Sequence, residues 1–158
     1  MDRNLKKGGP LMKARDIMTE NPACITPETS ARQAARLMED HDVGSLPVVE
    51  SDANRRLVGV VTDRDLALRV LGRGESVDVP VREVMSSNVH CCRAEDGLDE
   101  VENAMAQHQV RRIPIVDANN CVLGMVAQAD LARERRAVGA KDLGKVLEKI
   151  SEPAGVGR

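Results

Sequence analysis

One heptapeptide stands out for its chemistry: Gly59-Val60-Val61-Thr62-Asp63-Arg64-Asp65. Three apolar or small residues run as a strand into a hydroxyl, and a carboxylate follows three residues later. If the strand feeds a helix, free backbone N–H groups and a positive dipole end meet at that junction. A carboxylate one turn in can accept both hydroxyls of a cis-diol, as acidic residues do in dinucleotide sites. The same Thr62-x-x-Asp65 spacing also makes a capping box, which only stabilises the helix, and the two roles can coexist. A second set of reactive groups is Cys24, Cys91, Cys92 and Cys121, with His90 beside the vicinal pair. A soft metal or a redox-sensitive thiol could use Cys24, Cys91, Cys92 and His90, although the spacing matches no CxxC zinc pattern and small buried strand cysteines are commoner.

The elements that must position these groups are visible in a duplication. Residues 14–28 (ARDIMTENPACITPE) align with 81–95 (VREVMSSNVHCCRAE) at an offset of 67. That offset also pairs Met38 with Met105, His41 with His108, Val43 with Val110 and Pro47 with Pro114. Further on, LVGVVTDRDLA (57–67) pairs with VLGMVAQADLA (122–132) at an offset of 65, so one polar turn is shorter in the second copy. Each copy reads as strand (23–26), helix, strand (46–49; 113–116), strand (57–61; 122–126) and helix (63–71; 128–136). The first long helix begins near Thr29 or Ser30, either able to cap it, and Ala31, Ala34, Ala35 and Met38 form one apolar face. Leu98, Val101 and Met105 form the matching face. Gly72 is expected to terminate the closing helix of the first copy.

Each β-α-β-β-α unit has a sheet face to cover and too few residues to stand alone. The expectation is an α+β fold in which two units pack sheet to sheet with pseudo-two-fold symmetry. The divisions are an N-terminal tail (1–13), repeat 1 (14–71), a linker (72–80), repeat 2 (81–136), and a C-terminal helix with a disordered tail (137–158). Leu143, Val146, Leu147 and Ile150 mark the apolar stripe of that last helix.

The duplicated unit resembles the CBS (cystathionine β-synthase) domain, and the pair resembles a Bateman module. Residues 59–65 fit that family's G-h-h-[ST]-x-x-[DN] ribose motif. The resemblance implies that Thr62 and Asp65 hold the ribose of an adenine nucleotide. It further implies that Arg111 and Arg112, which precede a strand in the opposite copy, contact its phosphates. A guanidinium fork matches phosphate oxygens, although adjacent arginines are often merely solvated, and in a strand only one of two neighbours points to a given face. Ile17, Met18, Val43, Gly44, Ser45 and Leu46 are the implied adenine slot. The second copy keeps Asp130 but has Ala127 in place of the threonine, which implies a weaker second site there.

Composition narrows the alternatives. With no Phe, Tyr or Trp among 158 residues, the core is aliphatic, and the aromatic platforms on which single-stranded nucleic acid stacks are missing. A net charge of −2 offers no general attraction to nucleic acid or an anionic membrane. No apolar run nears the ~20 residues of a membrane span, and nothing marks a signal peptide, so the reducing cytoplasm is expected. The run from Arg133 to Arg136 reads as a charged helix end favoured by the dipole. The expected function is a regulatory sensor, not an enzyme, needing no cofactor and no metal. Its expected ligand is AMP, ADP or ATP, or else S-adenosylmethionine, and it would signal through a homodimer or an unidentified protein partner. The competing reading is the metal- or redox-responsive regulator built on the cysteines.

Overall fold

A computed structural model describes residues 11–138 and Ile150. Most of the expected C-terminal segment and N-terminal tail therefore lies outside the described residues; Ile150 is helical and buried in the second core. In repeat 1 a short helix α1 (Ala14–Ile17) precedes β1 (Thr19–Glu20), α2 (Ala31–His41), β2 (Ser45–Val49) and β3 (Leu57–Thr62). One turn of α3 (Asp63–Asp65) continues as a π-helical segment (Leu66–Leu71). Repeat 2 contributes a 3-10 turn (Val81–Glu83), β4 (Cys92–Arg93), α4 (Leu98–His108), β5 (Arg112–Val116), β6 (Val122–Ala127) and α5 (Gln128–Val138).

Local signals explain most of these boundaries. Ser30 caps α2, its Oγ accepting from Gln33 N at 3.1 Å while Ser30 N donates to Gln33 Oε1 at 3.0 Å. Ala31, Ala34 and Met38 are buried as one helical face, whereas Ala35 is exposed at its edge. Gly72 does end the closing helix, in right-handed conformation rather than as a left-handed cap. The expected first strand at 23–26 shrinks to a single parallel bridge between Ile25 and Val48. Thr19–Glu20 makes the strand instead.

That shift has a structural cause. β1 pairs antiparallel with β6, Thr19 opposite Met125, so the first copy lends a strand to the sheet of the second, giving the order β1-β6-β5-β4. The exchange is reciprocal, because Ser86 bridges Val60 of β3. Two further hydrogen bonds repeat the symmetry: Ala14 N donates to Asp96 O at 2.8 Å, and Val81 N to Thr29 O at 2.8 Å. The motif glycines make room for the exchange. A Cβ on Gly124 would lie 2.5 Å from Met18 Sδ, and one on Gly59 would lie 2.6 Å from Met85 Sδ. Each copy's aliphatic core takes residues from the other, Val81 and Val84 joining the first and Ala14 the second, and Val49, Leu57, Val116 and Val122 form a third cluster where the copies meet.

One charged side chain is part of this packing. Glu102 is buried on α4, and Arg135 of α5 grips it with both arms, Nε to Oε1 at 2.7 Å and Nη2 to Oε2 at 2.9 Å. Arg135 also pairs with Asp99. These carboxylates, Glu102 first, push the guanidinium pKa upward despite partial burial. The 133–136 run is thus not simply a solvated helix end: Arg135 clamps two helices.

Candidate functional site

The β3–α3 junction is a capping box. Asp65 N donates to Thr62 Oγ1 at 3.0 Å, and Thr62 N donates to Asp65 Oδ2 at 2.9 Å. The cap uses one carboxylate oxygen, leaving Oδ1 with Arg69 Nε at 3.8 Å as its ion-pair partner among the described residues. At the β6–α5 junction half of the box survives. Ala127 N donates to Asp130 Oδ2 at 2.8 Å, and Asp130 Oδ1 has Arg133 at 3.8 Å. In both copies, then, the capping carboxylate in the first turn of a helix keeps one oxygen outside the cap.

A cavity of about 250 Å³, small for a ligand site, lies between the copies on the Asp130 side. Its walls come from three places. The β1 segment and the chain after it supply Thr19, Asn21, Pro22 and Ala23; the end of α2 and the start of β2 supply His41, Val43, Ser45 and Leu46; the second copy supplies Arg112, Met125, Ala127 and Asp130. Thr62 and Asp65 are not among the lining residues. The arrangement therefore differs from the sequence expectation, which put Arg112 with the Thr62–Asp65 pair and gave Asp130 the lesser role. Strand register is the reason: Arg112 lies directly opposite Ala127 across β5 and β6, while Ser45 lies opposite Thr62 across β2 and β3.

Two polar residues that line this cavity have side-chain groups without partners among the described residues. Ser45 is 6% exposed, and its Oγ has no hydrogen bond among the described residues. A buried hydroxyl left unmade costs about 1–3 kcal/mol, so it is a position where a ligand atom would be stabilising. Arg112, in turn, has no hydrogen-bonded or ion-paired carboxylate among the described residues. Its guanidinium crosses to the first copy, where a Cβ on Gly44 would meet Nη1, Nη2 and Asp63 Oδ2, each at 3.0 Å. A side chain at position 44 would crowd that arm and Asp63, so glycine suits the place.

The remaining predicted residues divide. Val43 and Leu46 line the cavity as expected. Ile17 and Met18 are half-buried against the second core, and neither lines the cavity. Arg111 is exposed and outside the lining, its carbonyl accepting from Gln128 N at 2.8 Å, as Gly44 O accepts from Asp63 N at 3.0 Å. Sequence reasoning missed Thr19, Asn21, Pro22, Ala23, His41 and Met125. All but Met125 lie in the lent segment or at the end of α2, and the equal spacing of 19–23 and 86–90 from the repeat boundary was the available signal.

The thiols do not converge. Cys92 is buried in β4, Cys91 is exposed, and among the described residues no group of three or more His, Cys, Asp or Glu could hold a metal. Burial raises the pKa of Cys24 and Cys91, and burial with Asp96 nearby raises Cys92 to about 11. Thiolate is the nucleophile, so Cys92 should react with iodoacetamide at pH 7.5 at least about tenfold more slowly than a free cysteine. Mass spectrometry of the alkylated peptides checks this; a rate matching free cysteine contradicts it.

No helix among the described residues is long and apolar enough to cross a membrane. Comparison with known proteins agrees with the fold. The chain is 40% identical to the CBS domain-containing protein YhcV of Bacillus subtilis over 141 residues, 89% of this chain and 96% of that one. Hypoxic response protein 1 of Mycobacterium tuberculosis is 35% identical over 121 residues, covering 76% of this chain and 82% of that protein. A crystal structure of Hypoxic Response Protein I with two coordinated zinc ions superposes with a TM-score of 0.70 at 33% identity, over 77% of this chain and 98% of that one. CBSX2, known from Arabidopsis thaliana, in complex with AMP gives 0.68 at 26% identity, over 81% and 98%. The CBS domain model matches residues 14–72 and again 81–137, one match for each half of the duplication, and with it the chain belongs to the CBS domain family.

Proposed function

We propose that this protein is a regulatory sensor, not an enzyme, that takes an adenine nucleotide or adenosyl ligand into the cavity between its two CBS repeats. The observation that carries the reading is that three residues lining it hold polar groups without a full set of partners among the described residues: the hydroxyl of Ser45, the guanidinium of Arg112 and the Asp130 oxygen that the cap does not use. Asp130 would accept the ribose hydroxyls, Arg112 would meet phosphate, and Val43, Leu46 and Met125 would cover the base. The AMP complex of CBSX2 supports the ligand class. Because the groups come from both copies, ligand would fix their relative packing and so alter a homodimer or a partner contact.

The test is titration calorimetry with AMP, ADP, ATP, GMP and S-adenosylmethionine, followed by chromatography of the recovered ligand. At least one adenosyl compound should bind in preference to GMP and be recovered intact. Asp130→Ala should weaken it about 30-fold, by removing charge-assisted hydrogen bonds worth about 2 kcal/mol. Absence of binding, or turnover of the nucleotide, would overturn the reading. Light scattering with and without ligand tests the signalling part, which fails if neither dimer nor partner contact responds.

A metal-responsive reading has one support, the zinc ions of Hypoxic Response Protein I. The dispersed thiols and their raised pKa values favour the nucleotide reading. Metal analysis of the purified protein separates the two.

A further inference from the structure

The cavity on the Asp130 side has a counterpart on the other side of the pseudo-two-fold axis. The offsets of the duplication carry Ala23 onto His90, His41 onto His108, Ala127 onto Thr62 and Asp130 onto Asp65. The exchange of segments confirms this register, since Ser86 bridges Val60 just as Thr19 pairs with Met125. In the first cavity the methyl group of Ala23 and the imidazole of His41 border the open volume. At the equivalent place the small methyl is replaced by the ring of His90. That ring lies flat on His108, with centroids 3.3 Å apart and planes 6° from parallel. Two imidazoles in van der Waals contact thus stand where the first cavity has one imidazole and a methyl group. Desolvation and the neighbouring His90 both lower the pKa of His108.

We propose that the His90–His108 stack is a plug in a second adenine-nucleotide site, whose ribose acceptor is Asp65 and whose hydroxyl is Thr62. The plugged side has the fuller ribose motif, and the open side has Ala127 where that hydroxyl would stand. One chain therefore binds one nucleotide, at the side with the poorer motif, because access and not motif quality decides. This inference rests on the nucleotide reading above, and the experiment separates the two.

The measurement is the calorimetric stoichiometry of AMP on the full chain. Wild type should bind one AMP per chain. His90→Ala, which installs the residue of the open cavity, should bind two, the first with affinity within about twofold of wild type. Adding Asp65→Ala to His90→Ala should return the count to one. The reciprocal change, Ala23→His, should close the open cavity against His41 and reduce binding at least about tenfold; it needs no tolerance of a change at position 90. Two AMP per wild-type chain, one per His90→Ala chain, or native affinity in Ala23→His each overturns the plug. No binding by wild type overturns the nucleotide reading itself, and the plug with it.

Discussion

Replacing Arg112 with alanine should weaken AMP binding about 50-fold while changing adenosine binding less than about twofold. Hydrogen bonds from a charged donor contribute about 1.5–3 kcal/mol each way of counting, and adenosine presents no phosphate to receive them. Arg112 is suited to this because nothing protein-derived claims its donors among the described residues, while Gly44 gives its arm a path into the other copy. Arg112→Lys should recover only part of the loss, since an ammonium restores charge without the planar fork. Paired titrations of AMP and adenosine measure both. Equal losses for the two ligands would mean that Arg112 shapes the cavity and does not hold phosphate.

The largest stability effect should come from Arg135→Ala. It leaves Glu102, 6% exposed, as a charge with no counterion among the described residues at the α4–α5 contact. Breaking a buried pair in this way costs about 3–5 kcal/mol. Arg135 is itself about a quarter exposed, so the lower end, about 3 kcal/mol, is expected, with a fall in Tm of roughly 10 °C for a domain of this size. Glu102→Met combined with Arg135→Met should recover most of it, because the desolvation cost vanishes with both charges. Urea unfolding of the three variants provides the measure. A single variant as stable as wild type would show that the pair is solvated.

The fold was largely legible because the two copies report on each other. Hydrophobic spacing located α2 and α4, and Ser30 with Gln33 marked a helix start through chemistry confined to one turn. The lent strand was not legible. Nothing in Thr19 or Glu20 distinguishes a strand that pairs within its own copy from one that pairs with β6, since that choice is made by distant packing of Met18 on Gly124. The lining of the cavity was hidden for a related reason. Sequence ranks motifs by their residues, so Thr62–Asp65 outranked Ala127–Asp130. Yet the register of β5 against β6 sets Arg112 beside Ala127. Likewise the orphan hydroxyl of Ser45 has meaning only once burial is known, and the fork of Arg135 only once α4 and α5 are adjacent.

A crystal structure of the wild-type chain with AMP would examine the two-copy site most directly. The ribose should sit on Asp130, the phosphate on Arg112, and Ser45 Oγ should hydrogen-bond to the ligand. Density for AMP at any place that engages neither Ser45 nor Arg112 would contradict the account.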